Sequence, residues 1–330
     1  MPGILVFGEM NQGELASVTG ELIAVAKALS GETGDEVEVA LQSDSVGNAA
    51  EECISLGADK AYRVESALLS EPQIDAHLEA FTQVVSQTQP SIVLIGRTPI
   101  GRDVGPRLAF RLGVAVAQDC VEVSIDSDSG RVVATRPVYG GNALSRVSFA
   151  GDDTQVVLVR PKVFEVLEPD AERSGEVEDF PISLDESAIK ARLVETVTQQ
   201  AEGVRLEDAT IVISGGRGLG GPEPFDELRS LSDALGGALG ASRAACDAGW
   251  IDHSHQVGLT GKTITPDLYI TVGISGASQH MAGCSASKNI VAINRDEDAN
   301  IFKSATYGVV GDWNRVLPSF IETVRELRDS

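Results

Sequence analysis

The stretch ATIVISGGRGLGG (209–221), followed at once by PEPFDELRSLSDALGG (222–237), decides how this chain is read. A β-branched run, Thr210 to Ile213, ends in a loop where five of the seven residues 215–221 are glycine. Beyond the loop, Phe225, Leu228, Leu231, Ala234 and Leu235 recur at helical spacing. A buried strand opening through glycines onto a helix is a common way for an α/β protein to hold a phosphate. The glycines admit backbone N–H groups, and the helix dipole favours negative charge. The expectation is a nucleotide cofactor site built on this loop by the residues after 200, preceded by a separate domain.

Two motifs near the loop mislead. Gly216-Arg217-Gly218-Leu219-Gly220-Gly221 satisfies G-x-G-x-x-G after a strand. The full dinucleotide fingerprint also wants an acidic residue closing a second strand about 20 residues on. The following SDALGGALGASRAACDAGW offers no clear strand, and Asp233 falls inside the helical pattern. This argues against a NAD site of the usual kind. Gly261-Lys262-Thr263 mimics the tail of a P-loop, but Gln256 stands where that motif needs its first glycine, so ATP hydrolysis is unsupported.

Working outward, the first 200 residues alternate strands with helices. Strands read at 3–7, 36–41, 60–64 and 91–95; helices read near 17–29, 48–56 and 73–87. Such alternation means parallel βαβ units with helices on both sheet faces. The loop GRTPIGRDVGPRLAFRLG (96–113) enters a basic helix with Arg102, Arg107 and Arg111, which reads as a solvated helix or subunit contact in preference to a ligand site. From 119 to 160 the short runs 121–125, 131–140, 145–150 and 155–160 read as an antiparallel excursion. The segment 165–186 holds nine acidic residues against Arg173 and reads as extended surface chain. The run Ile189–Thr198 closes the first domain, and 201–208 reads as a linker. The expected class is therefore α/β with two domains, 1–200 and 201–330, each around a mainly parallel sheet, the second Rossmann-like.

Composition narrows the partners. The 330 residues carry 26 Lys and Arg against 49 Asp and Glu, a net charge of −23, which disfavours nucleic acid or an anionic membrane as the main partner. No apolar run is long enough to span a bilayer, and MPGILVFGEM lacks the features of a targeting segment, so the cytoplasm is the expected location. Cys53, Cys120, Cys246 and Cys284 show no metal-ligand spacing. His253 and His255 form an HxH pair with no third ligand, so no metal is expected.

Further along, several segments converge on one site. Ser242 and Arg243 come just after a glycine pair, and QVGLTGKTI (256–264) is a glycine-punctuated loop holding Thr260. LYITV (268–272) runs into GISGASQHMAG (273–283), a second strand–glycine–helix element with Ser275 as candidate N-cap and His280 inside. NIVAIN (289–294) ends in Asn294-Arg295-Asp296, and YGVVGDW (307–313) ends on Asp312 and Trp313. Each strand delivers polar residues at its carboxyl end, where doubly wound sheets bind ligands.

These segments, with IVAINRD (290–296) and SGGRGL (214–219), resemble the FAD-binding domain of the electron transfer flavoprotein α subunit over roughly residues 209–325. GRDVGPRLAFRLG and RPVYGGNA resemble the same family's first domain. The resemblance implies FAD held mainly by this chain and a β subunit as partner, contacted through the first domain. It also implies electron shuttling from flavoprotein dehydrogenases, such as the acyl-CoA dehydrogenases of fatty acid β-oxidation, to a quinone reductase or other acceptor, without substrate chemistry of its own. By the same resemblance Arg243 lies over the isoalloxazine, where a cation favours an anionic reduced flavin. Thr260 sits by flavin N5, and His280 lies near the pyrimidine C2 carbonyl. Ser242, Val257, Gly258, Leu259 and the run Ser275, Gly276, Ala277, Ser278, Gln279 match contacts to the flavin and its phosphate-bearing chain. Arg217, Asn294 and Asp312 fit the phosphate-bearing chain and adenosine end, and Trp313 is a further cofactor-binding candidate. Leu259 departs from the glutamine usual in the family. Two alternatives stay open: a subunit of an electron-bifurcating, NADH-oxidising complex or an acyl-CoA reductase complex, and a flavin-free adenine-nucleotide-binding scaffold.

Overall fold

The computed structural model describes all residues except 1–2, 12, 140–142, 152, 195–203, 208 and 330, and the chain divides into two units, Met1–Val197 and Thr198–Ser330. Residues 195–198 of the run Ile189–Thr198 and part of the expected linker lie outside the described residues. Leu206, within that linker stretch, is buried against Val212, Ala238 and Tyr269.

The first unit opens as the alternation requires. β1 (Ile4–Gly8), the small hairpin β2 (Met10–Asn11) and β3 (Glu14–Leu15), α1 (Ser17–Thr33), β4 (Val37–Ser43) and α2 (Ala49–Ser55) come first. β5 (Lys60–Glu65), α3 (Ile74–Thr88), β6 (Ile92–Gly96) and α4 (Gly101–Leu112) follow. Successive residues of β1 enter opposite cores. Ile4 and Val6 pack with Leu22, Val25 and Leu29 of α1, while Leu5 and Phe7 pack with Leu78 and Phe81 of α3 and Val104 of α4. That period of two, with apolar residues at every position, is the mark of a strand covered on both faces. Arg107 and Arg111 on α4 pair with Asp75 at 3.2 Å and Glu79 at 2.8 Å on α3, so this basic helix uses two of its charges against its neighbour.

The rest of the unit holds β7 (Val116–Cys120), β8 (Glu122–Ile125), β9 (Val132–Val138), β10 (Ala143–Ser148), β11 (Gln155–Val159) and β12 (Glu176–Asp179). Only β8, β9 and β10 form an antiparallel sheet. The reading of 155–160 as part of that excursion is corrected. β11 lies parallel between β6 and β7 inside a seven-stranded sheet of order β12-β5-β4-β1-β6-β11-β7. All five β11 residues are buried, and the unbroken VVLV core is what a strand covered on both faces demands. The acidic segment supplies the edge strand β12, whose Glu178 and Glu176 bracket Lys60 at 2.6 and 3.5 Å.

The second unit runs β13 (Ile211–Gly215), α5 (Pro224–Leu235), β14 (Ala238–Ser242), α6 (Arg243–Asp247) and β15 (Gln256–Val257). It continues with β16 (Leu268–Val272), α7 (Ser278–Met281), β17 (Asn289–Asn294), β18 (Tyr307–Val310) and α8 (Trp313–Asp329). Its six strands are parallel in the order β15-β14-β13-β16-β17-β18. The chain thus builds outward from β13 in one direction, returns, and builds outward from β16 in the other. That is the doubly wound dinucleotide-binding order, with its switch point between β13 and β16. Phe225, Leu228 and Leu231 of α5 and Leu317 and Ile321 of α8 cover one face. Val212, Val257, Ile264, Tyr269 and Ile290 line the other.

β14 corrects the expectation that 230–250 lacks a strand. Its Ala-Leu-Gly-Ala-Ser sequence follows from crowding: a Cβ on Gly240 would stand 2.4 Å from Ser214 Oγ, so small residues replace the usual β-branched ones. β14 ends on Ser242 and Arg243, not on an acid, so the objection to a NAD site of the usual kind stands on firmer ground. All four cysteines are buried and unbridged.

Candidate cofactor site

At the carboxyl ends of these strands lies a cleft of about 680 Å³, within the ~300–1,000 Å³ range of cofactor sites. It gathers Arg217, Ser242, Arg243, Val257, Gly258, Leu259, Thr260, Ser275, Ala277, Gln279, His280 and Asn294 from five strand ends. Four expected residues lie off its lining. Gly276 (φ 75°) makes the turn that carries the chain past Ile301, where any Cβ would meet the Ile301 amide at 2.3 Å. Ser278 is exposed. Asp312 accepts the Asn314 amide at 3.1 Å and so caps α8, and Trp313 packs on the α5–α8 core.

The glycine loop behaves differently from the phosphate cradle expected of it. The amides of Gly216 and Gly218 donate to Val272 O at 2.8 Å and Gly273 O at 2.9 Å, the end of β16. Both glycines are required by that close approach, since Cβ atoms there would lie 2.2 and 2.8 Å from Gly273 O. Only Arg217 and Gly218 reach the cleft, and the start of α5 lines no part of it. Across the switch point the pattern inverts. The amides of Ser275 to Gln279 make no hydrogen bond within the protein among the described residues. Ser275 is not an N-cap: Ala277 precedes α7 and no side chain caps it.

Three more features shape the cleft. The loop after β15 is pinned from both sides. Lys262 N–H donates to Gln256 O at 2.7 Å, and Leu259 N–H donates to Gln279 O at 2.7 Å, leaving the Leu259 side chain 69% exposed. His280 is 7% exposed with its Nε2 at 2.9 Å from the Tyr269 hydroxyl, and burial holds its imidazole down at about 4. Its Nδ1 and the Ser242 Oγ are buried with no hydrogen-bond partner among the described residues, as groups awaiting a polar ligand would be. Finally, Arg217, Arg243 and Arg295 outnumber Asp247 and Asp296 on the lining, a local positive excess in a chain of net charge −23.

Sequence reading gives no site role to Asp247 or Gln256 on this lining, and takes Arg295 and Asp296 only as polar residues closing the strand 289–294. Asp247 carried a signal, standing four residues after Arg243 on one helix, and the two pair at 3.2 Å. Gln256 carried one only in opening the QVG stretch. His253 Nδ1 lies 3.2 Å from Gln256 Oε1 and His255 Nδ1 lies 3.2 Å from Ser254 Oγ. No three-ligand metal cluster occurs among the described residues. Lys262, rather than being solvated, pairs with Glu207 at 2.6 Å.

A doubly wound sheet with unpaired amides, buried orphan polar atoms and excess arginine at its switch point defines a dinucleotide-binding protein. Comparison with known proteins gives the family. Residues 4–185 match the electron transfer flavoprotein domain, and residues 205–285 match the electron transfer flavoprotein FAD-binding domain. The electron transfer flavoprotein subunit alpha of Thermoanaerobacterium thermosaccharolyticum is 42% identical over 98% of each chain. That of Bacillus subtilis is 42% identical, again over 98% of each, and that of Megasphaera elsdenii is 41% identical over 98% of this chain and 96% of its own. The chain belongs to the electron transfer flavoprotein α-subunit family, and its cofactor is FAD. No helix among the described residues is long and apolar enough to cross a membrane.

Proposed function

We propose that this chain is the FAD-carrying half of a heterodimer with an electron transfer flavoprotein β subunit, met through the first unit, and that it works in the cytoplasm. The pair takes electrons from a flavoprotein dehydrogenase, such as an acyl-CoA dehydrogenase, and hands them to a quinone reductase or another redox protein. The observation that carries this reading is the pairing, in one cleft, of the unengaged backbone amides of Ser275, Ala277 and Gln279 with the polar side chains Arg243, Thr260 and His280. The amides and Arg217 would hold the phosphate-bearing chain. Arg243 would lie over the flavin and favour its negative charge on reduction. Thr260 would offer a hydroxyl to the N5 edge, and neutral His280 would offer its unpartnered Nδ1 toward the C2 carbonyl. Bound FAD supplies reversible uptake and release of electrons; the protein supplies position and electrostatics. Asp312 is kept for the chain and adenosine end, and Trp313 as a further cofactor contact, both beyond the cleft's lining.

Co-expression with a β subunit and gentle purification should give a yellow complex. Its FAD should be reduced by a dehydrogenase with substrate and reoxidised by a redox-protein acceptor. A colourless complex that does not take up added FAD would overturn the reading. Direct reduction by NADH would move it to the electron-bifurcating class.

A further inference from the structure

Along the cleft wall runs a chain of side chains, three of them on the lining, whose mutual bonds the reading above leaves unused. Gln256 is 5% exposed, and its amide has a neighbour at each end. Its Nε2 donates to Thr260 Oγ1 at 3.0 Å, and its Oε1 lies 3.2 Å from His253 Nδ1. The other ring nitrogen of His253 faces Asp247 Oδ1 at 3.9 Å. His253 is itself placed by a one-turn 3-10 helix, His253–His255, which Asp252 caps by accepting the Ser254 amide at 2.8 Å.

We propose that Gln256 is a positioning residue which, held by His253, fixes the proton of the Thr260 hydroxyl so that it donates into the cleft. The inference rests on the reading of Thr260 as the residue beside flavin N5. Its logic is that of donors and acceptors. An amide oxygen only accepts, so His253 Nδ1 carries the proton that meets it. An amide nitrogen only donates, so the Thr260 oxygen is the acceptor in that bond. A hydroxyl has one proton, and with Gln256 supplying its own, the Thr260 proton is left for the cleft side. A threonine without this partner could turn its proton away from the ligand or toward water. The chain therefore converts a freely rotating group into an oriented donor, at an edge where each added electron raises the charge.

The bland alternative is packing alone, since the Gln256 carbonyl also anchors the Lys262 amide. Potentials separate the two. In the FAD-loaded heterodimer, Gln256→Met keeps the bulk and removes both bonds. Thr260→Val removes the hydroxyl. We expect Gln256→Met to weaken uptake of the first electron about fivefold, roughly the loss of one neutral hydrogen bond. That is ~40 mV, given 59 mV per tenfold for one electron. In the Thr260→Val background the same substitution should leave the potential unmoved. His253→Leu, at an exposed position that the fold tolerates, should shift the potential in the same direction by less and should also fall silent with Thr260→Val. A Gln256→Met shift that persists in the Thr260→Val background overturns the proposal in favour of packing, as does no shift in the native background. If Thr260→Val alone leaves both potential and FAD affinity unchanged, the placement of Thr260 beside the flavin fails with it.

Discussion

Two glycine-rich loops meet at the switch point of the second unit, and they do opposite work. The loop after β13, residues 215–221, matches a nucleotide fingerprint, yet its Gly216 and Gly218 amides are engaged by the carbonyls of Val272 and Gly273. The loop after β16, residues 273–279, matches no such spacing, yet its amides from Ser275 onward are unengaged. One loop is a brace and the other is a receptor. Glycine spacing reports that backbones approach closely; it does not report whether the neighbour is a ligand or another strand end.

The sharpest break of this contrast is Gly216→Val. A brace cannot accept a side chain 2.2 Å from Gly273 O, and no rotamer relieves a backbone clash, so stability should fall by roughly 3–4 kcal/mol with flavin lost in consequence. Unchanged thermal unfolding would show the loop to be free. Next comes pH. In the FAD-free protein His280 is neutral, with its ionisation held at about 4 against an ordinary 6.5. The unfolded chain binds the proton more readily, so its contribution is complete above pH 6.5 and is lost as pH falls toward 4, by about 3 kcal/mol in all. Urea unfolding of His280→Gln should lose this slope.

Ala277→Pro tests the receptor directly. Ala277 has φ −57°, which proline adopts without strain, and the change deletes one unengaged amide. The FAD-free protein should unfold at the same temperature or slightly higher, while FAD affinity drops about tenfold, the worth of a hydrogen bond to a charged group. Equal FAD affinity would deny this loop its role. Arg243→Ala should keep FAD but lower the potential for the first electron by ~60 mV, roughly tenfold, in a reductive titration. Smallest of all, Leu259→Gln should change stability by less than about 0.5 kcal/mol, since the side chain is exposed and the backbone bond to Gln279 survives. Any shift in potential it causes measures what the family's usual glutamine adds.

Where the local pattern had one physical cause, the sequence was readable. Leu22, Val25 and Leu29, or Phe225, Leu228 and Leu231, repeat because one face is buried. The carboxyl-end positions of His280 and Asn294 followed from the strands read before them. What stayed hidden depends on neighbours distant in the chain. β14 looks unlike a strand because Ser214, on an adjacent strand, leaves no room at Gly240. β11 joins the parallel sheet because both its faces are covered, which alternation cannot reveal over five residues. Gln256 becomes legible only when a tight loop returns Thr260 to it and a capped turn presents His253.

The buried thiols have a consequence of a practical kind. Burial pushes Cys246 up to about 11 and Cys120 and Cys284 up to about 12, and raises Cys53 further still. With a pKa near 11, a thiol is ionised in about one molecule in ten thousand at neutral pH, and only the thiolate attacks. Oxidants generated at the cofactor therefore meet little reactive thiolate on these cysteines. The native cysteines should react slowly with maleimides, so a single added thiol, such as Leu259→Cys at the cleft mouth, should react first and report the approach of a redox partner.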